Sequence, residues 1–240
     1  MNIFKTLQEI SAIPSLTFKE DTLRDYIQSI LSKKNTMLVK GNTTQEGLGV
    51  IGDPNIIYIA HLDRVKTPKY KPLKIINGYL TGQLDNIIGV GALLYLLDQP
   101  DFQGSVLFTT QEEVVANKDQ IANFANMIGD EYTKIIDIDI DPILSTDGNT
   151  LFKGLSTRRN DSAREYSRSL YKELTSTAEA NSFRFQTLYS WIILQLSYLE
   201  IKNPVGFVGV PILNYHTNHE IAYWQSVKDL YKFLYIFSRF

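Results

Sequence analysis

Four short apolar runs in this chain each end on groups that can hold a cation or move a proton. Ile56 to Ala60 leads into His61-Leu62-Asp63, and Val106 to Thr110 leads into Gln111-Glu112-Glu113. Ile135-Ile136 leads into Asp137-Ile138-Asp139, and Val208 to Pro211 leads on to Asn214-Tyr215-His216-Thr217. Imidazole and carboxylate suit zinc and related divalent ions. The chain has no cysteine and only three histidines, His61, His216 and His219, so any metal rests on His and carboxylate ligands. A carboxylate beside such a centre can act as general base in hydrolysis.

Each fragment has a plainer reading. His-x-Asp arises by chance, Glu112-Glu113 can be a solvated face, and Asp85 can be only a helix N-cap. Asp137, Asp139 and Asp141 alternate as one polar face of an edge strand would. They also imitate the start of a calcium loop, but its sixth and twelfth places hold Pro142 and Gly148 instead of Gly and Glu. His219 reads as a surface residue ahead of the last helix.

The elements that must position these groups follow from hydrophobic spacing. Phe4, Leu7 and Ile10 mark a short first helix. Thr17 and Glu20 read as a capping box before a second, carrying Leu23, Tyr26, Ile27, Ile30 and Leu31. Ile87, Ile88, Ala92, Leu93 and Leu97 follow Asp85 as a helix. Ser169 to Ala180 and Ile221 to Phe237 read as two more. Strands are expected at Ile56 to Ala60, Ser105 to Thr110, Lys134 to Ile140 and Val205 to Val210. Alternating strands and helices predict an α/β fold: three layers, with a mostly parallel mixed sheet flanked by helices, in a single domain spanning residues 1–240. In such sheets ligands bind beyond the carboxyl ends of the strands, where these four runs deliver His, Asp and Glu.

Composition narrows the function classes. A net charge of -2 without a basic stripe argues against nucleic-acid binding. No Gly-x-Gly-x-x-Gly or phosphate loop is present, which argues against a nucleotide-binding protein. No run reaches the roughly 18 apolar residues of a membrane span, Trp191 to Leu199 being the nearest. With no secretory leader visible, the expected setting is cytoplasmic, where the glycosylation triplets at Asn42 and Asn160 carry no meaning.

Taken in order, Ala60-His61-Leu62-Asp63, Leu84-Asp85-Asn86, Thr110-Gln111-Glu112-Glu113-Val114, Ile136-Asp137-Ile138 and Gly209-Val210-Pro211 through His216-Thr217 resemble the co-catalytic di-zinc peptidase clan. The set is most similar to the glutamyl and tetrahedral aminopeptidases, with bacterial leucyl aminopeptidases as cousins. The resemblance runs from about Phe4 to Phe240. It implies a di-zinc exopeptidase-like hydrolase, an aminopeptidase acting on short peptides. A deacylase or dipeptidase with the same metals, or a non-catalytic peptide-binding relative, is the alternative. It implies two divalent ions, zinc first, with cobalt or manganese as alternatives. His61 and Asp137 would hold one and Glu113 and His216 the other, with Asp85 bridging; whether Asp139 shares the role of Asp137 stays open. Glu112 would be the general base, and Asp63 would orient His61 through its other ring nitrogen. Arg158, Arg159 and Asn160 resemble a family element that could bind substrate.

The chain departs from its nearest relatives in three places. Only 24 residues (85 − 61) separate His61 from Asp85, too few for the inserted domain that builds large tetrahedral particles, so no such particle is expected. Asn86 follows the bridging Asp where Asp is usual. A Gly-Thr-Asp-Ala-like segment is not evident between Gln186 and Leu199, which leaves pocket specificity open.

Overall fold

Runs of Ile, Val and Phe bounded by polar turns form strands here, because β-branched and aromatic side chains fill a pleated, buried surface. The computed structural model describes residues 1–41, 45–65, 72–114, 116–129, 133–142, 151–159, 166–188 and 202–239. In chain order the elements are α1 (Ile3–Ser11), α2 (Asp21–Ile30), β1 (Thr36–Lys40), β2 (Glu46–Val50), β3 (Asp53–His61), β4 (Lys74–Ile76), β5 (Tyr79–Gly82), α3 (Ile87–Leu97) and β6 (Gly104–Thr109). A 3-10 turn at Glu112–Val114 follows. Then come α4 (Lys118–Ile128), β7 (Lys134–Pro142), β8 (Leu155–Arg158), α5 (Arg168–Ala180), β9 (Phe185–Leu188), β10 (Val205–Leu213), β11 (Glu220–Tyr223) and α6 (Trp224–Phe237).

The strands join in one mixed sheet, ordered β1-β2-β6-β3-β7-β10-β11-β5-β4, with β8 and β9 attached beside β10. Its centre, β6-β3-β7-β10, is parallel. The four strands expected from sequence are these four. The antiparallel flanks extend it on both sides. Strand parity divides the core. Tyr58, Ala60, Ile136, Ile138 and Ile140 face a large apolar layer that includes α1, α3 and α6, and Ile57, Ile59, Ile135 and Phe207 face a smaller one with α4. The helix α3 is apolar on every side, as burial between sheet and helices requires.

Two local expectations were overridden. Ile221 belongs to a strand, and the last helix starts at Trp224, because Glu220–Tyr223 pairs with both β5 and β10. The capping box does not form. Thr17 donates to Asp63 Oδ2 and Glu20 accepts from the Gln111 amide, so tertiary bonds took both side chains. Among the described residues, no helix is long and apolar enough to cross a membrane.

Candidate metal centre

Register places the first pair of groups. Ile59 lies opposite Asp137 in the β3–β7 ladder, so His61, two residues further along, comes beside Asp139. His61 Nε2 lies 3.5 Å from Asp139 Oδ1 and 3.2 Å from Asp85 Oδ1. On the other side, His216 Nε2 lies 3.2 Å from Glu113 Oε2 and 3.4 Å from Asp85 Oδ2. Asp85 thus turns one oxygen to each histidine.

Asp85 is available for this because the next residue does the capping. Asn86 Oδ1 accepts from the Gly89 amide and opens α3, while its Nδ2 donates to Ile138 O at 2.8 Å. An Asp at 86 could cap but could not donate, which gives the departure from the usual Asp a structural use. A side chain at Gly89 would run into Asn86 and the Ile138 carbonyl.

A tetrahedral zinc with bonds of about 2.0–2.1 Å sets its ligand atoms roughly 3.3 Å apart. The four separations above match that edge. Asp85 Oδ1, the oxygen 3.2 Å from His61 Nε2, is buried without a hydrogen-bond partner, as an atom placed to take a cation would be. The residues therefore fit divalent cations, in the groups His61–Asp85–Asp139 and Asp85–Glu113–His216. Glu112 also lies near, its Oε2 3.9 Å from His61 Nε2. His216 is the most open of these residues, with 36% of its side chain exposed.

The sequence profile of the M42 glutamyl aminopeptidases matches residues 57–233, most of the chain. The chain belongs to the M42 glutamyl aminopeptidase family. It is a metal-dependent hydrolase of the aminopeptidase type. Among solved structures, the TET1 peptidase of Pyrococcus horikoshii is similar at 19% identity, covering 99% of both chains, with a TM-score of 0.81. An aminopeptidase from Desulfurococcus kamchatkensis is 13% identical over 98% of this chain and 94% of its own, with a TM-score of 0.80. A TET aminopeptidase from a marine-sediment Thaumarchaeota archaeon is 10% identical over 98% and 96%, with a TM-score of 0.81. No curated protein matches the chain in sequence. The Pyrococcus protein can assemble into a tetrahedron or a large octahedral shell. The described part of the segment between His61 and Asp85 holds the short hairpin of β4 and β5.

Within this M42 chain the sequence-derived site is largely brought together, with one substitution. His61, Asp85, Glu113 and His216 converge. Asp137 does not join them, and Asp139 stands in its place. Asp137 sits one pleat repeat, roughly 7 Å, back along the strand, buried beside Ile59 and Phe207. Asp141, on the same face, pairs with Arg158 at 2.6 Å. Asp63 stands at the ring nitrogen through which it was expected to orient His61, its Oδ1 3.5 Å from His61 Nδ1. His61 Nδ1 meets the Asp63 backbone carbonyl at 3.0 Å, while the carboxylate accepts from the amides of Glu112 (3.0 Å) and Glu113 (3.1 Å). Arg158 is fully buried over the Phe207 ring and bonded to Asp141. Arg159 lies over Tyr171, beside the amino-terminal end of β10 and away from the metal edge. Asn160 and residues 189–200, most of the stretch in which a Gly-Thr-Asp-Ala-like segment is not evident, lie outside the described residues.

Two residues of this architecture carried no chemical signal in the sequence: Glu20, which looked like a helix cap, and Glu220, four residues after His216. Glu220 Oε2 accepts from the amides of Leu84 and Asp85, and Oε1 accepts from that of His216. Glu20 Oε1 accepts from Gln111, which takes a left-handed φ of 64° just before Glu112.

Without cations the M42 centre is electrostatically strained. Burial, then the charges of Asp139, Asp63 and Glu113, push Glu112 well above the usual carboxylate range, though His61 opposes them. Burial also raises Glu113 and Asp139. Burial alone would raise Asp85 too, but the contacts of His216 and His61 outweigh it and hold the carboxyl down at about 2. Burial disfavours a charged His216, yet Asp85 and Glu113 raise it to about 10.

Glu20 provides a separate test. Burial, then the charge of Asp63, raises its pKa from the ordinary 4.5 to about 7. Between those values the unfolded chain has released this proton and the folded chain has not. Stability therefore falls as pH rises through that window and stays lowered above it. Glu20→Gln, which can still accept from Gln111, should unfold with the parent near pH 4.5 and at clearly higher temperature at pH 8, both chelated. Equal midpoints at pH 8 would contradict this account.

Proposed function

We propose that this aminopeptidase removes amino-terminal residues from short peptides using two divalent cations, zinc by preference. The supporting observation is the placement of Asp85, whose two oxygens each face a separate histidine–carboxylate pair. His61 and Asp139 would hold one cation, Glu113 and His216 the other, with Asp85 shared. When bound, such cations supply Lewis acidity to a carbonyl oxygen and to the attacking water. Glu112 takes the proton of that water and delivers it to the leaving amine, so water adds to the carbonyl carbon as the C–N bond breaks. Asp63 fixes the Glu112–Glu113 turn so that base and ligand keep a constant spacing.

The group read beside the centre is taken to be the substrate's free, positively charged α-amine. A dipeptidase or deacylase would read a carboxylate instead, and the two arginines considered for that task are engaged elsewhere. The cysteine-free composition fits a reducing compartment, and the cytoplasm is the proposed setting.

Metal analysis of the protein equilibrated with zinc should give close to two ions per chain. Each site should add about 2.7 kcal/mol of stability at a hundredfold excess of ligand over Kd, so chelation should lower the melting temperature. The same preparation should release amino acids from free-amine peptides in preference to N-acyl amino acids. No bound metal under saturating zinc would end this reading.

A further inference from the structure

Glu220 starts β11 at the point where two strands part company. One neighbour is Gly82 at the end of β5, after which the chain runs through Gln83 and Leu84 to Asp85. The other is the end of β10, after which it runs through Asn214 and Tyr215 to His216 and returns to Glu220. The side chain is fully buried and spans the gap. The Leu84 amide donates to Oε2 at 2.5 Å, the Asp85 amide to Oε2 at 3.0 Å and the His216 amide to Oε1 at 2.8 Å.

From this we infer that Glu220 is a positioning residue that sets the distance between Asp85 and His216, and so the spacing of the metal-binding groups. The inference rests on the metal centre proposed above. A carboxylate is the side chain this task requires. Three backbone donors point at it, and a carboxyl group can accept at both of its oxygens where an amide offers one. An amide would turn a donor toward one of the two loops. His216 also needs outside support. Its φ of 59° and that of Asn214, also 59°, are left-handed values that a non-glycine residue holds only when its surroundings impose them. The loop's internal bonds, Thr217 to Asn214 O and Asn214 to His219 O, close it on itself without tying it to Asp85. Glu220 supplies that tie. It touches neither reacting atoms nor the donor atoms of either metal group.

Amide exchange followed by NMR in the wild-type, metal-free protein tests the tie without a variant. The His216 and Asp85 amides should exchange far more slowly than those of an open loop, and exchange of the His216 amide at the unprotected rate would overturn the inference. Cobalt titration of Glu220→Gln tests its consequence. Its apparent cobalt affinity should fall about 10–100-fold, as loss of a partner behind a ligand does, with a changed visible spectrum. Leu174→Ala, a core truncation beside the opposite end of β10, should melt lower yet keep the wild-type cobalt spectrum and affinity. Wild-type affinity and spectrum in Glu220→Gln would overturn the inference while leaving the metal centre standing. Failure of the wild type to bind cobalt would instead strike the metal centre, and the exchange measurement would still judge the tie. Should Glu220→Gln not fold, Glu220→Asp, which keeps the charge but is one methylene too short to span both loops, is expected to show the same loss.

Discussion

Glu112→Gln should lower kcat about a thousandfold or more while the protein still binds its full complement of metal. The reasoning combines position with charge. Glu112 Oε2 stands 3.9 Å from His61 Nε2, and Glu112 offers an oxygen within 4.8 Å of ligand atoms of both His61 and Glu113, one residue from each pair that shares Asp85. Its backbone amide is held by Asp63 Oδ1, so the isosteric amide should occupy the same place. What disappears is the ability to accept a proton from water and return it to the leaving amine, a contribution of about 10²–10⁴ in rate. Burial and three neighbouring carboxylates raise Glu112 in the chain without cations, and cations at the paired groups would oppose that rise. Metal content measured beside kcat makes the result decisive. Lost activity with retained metal assigns the base, lost metal would make Glu112 a ligand, and retained activity would remove it from the chemistry.

How much of this was legible in the sequence depended on whether the signal was local. The parallel centre of the sheet was, because Ile56–Ala60, Ser105–Thr110, Lys134–Ile140 and Val205–Val210 are apolar runs of strand length with ligand-type residues behind them. The flanking strands were not. Lys74–Ile76 is exposed throughout and three residues long, and Glu220–Tyr223 is too short to show a period against the helix that follows. At the site, His61 and His216 stood out because histidine is scarce and both follow strands. Glu20 and Glu220 did not, because a carboxylate that holds backbone amides leaves no trace in spacing. Thr17-x-x-Glu20 matched a local helix cap so well that only tertiary contact could show otherwise. Arg158 shows the opposite case: its charge suggested substrate, and it is paired with Asp141 inside the core.

The choice between Asp137 and Asp139 was of the same kind, and it yields the second large effect. Both lie on one face of β7, so alternation cannot separate them, and the sequence placed the ligand directly after Ile135-Ile136. The ladder decides otherwise. With Ile59 opposite Asp137, only the residue two further on comes level with His61, and β7 is long enough to carry it there because it runs on to Pro142. Asp139→Asn should therefore weaken one of two metal sites by more than about a hundredfold, beyond what loss of an outer partner costs. Stoichiometry at moderate zinc should drop from two to one, and turnover should be lost with it. Asp137→Asn should keep two metals, since its side chain lies roughly 7 Å back between Ile59 and Phe207. Any effect there should appear in thermal stability, because the residue is buried. Zinc titration and melting curves of the two variants side by side separate the cases. If Asp137→Asn lost a metal and Asp139→Asn kept both, the register of β3 against β7 would have to differ by two residues, and the geometry built on it would fall with it.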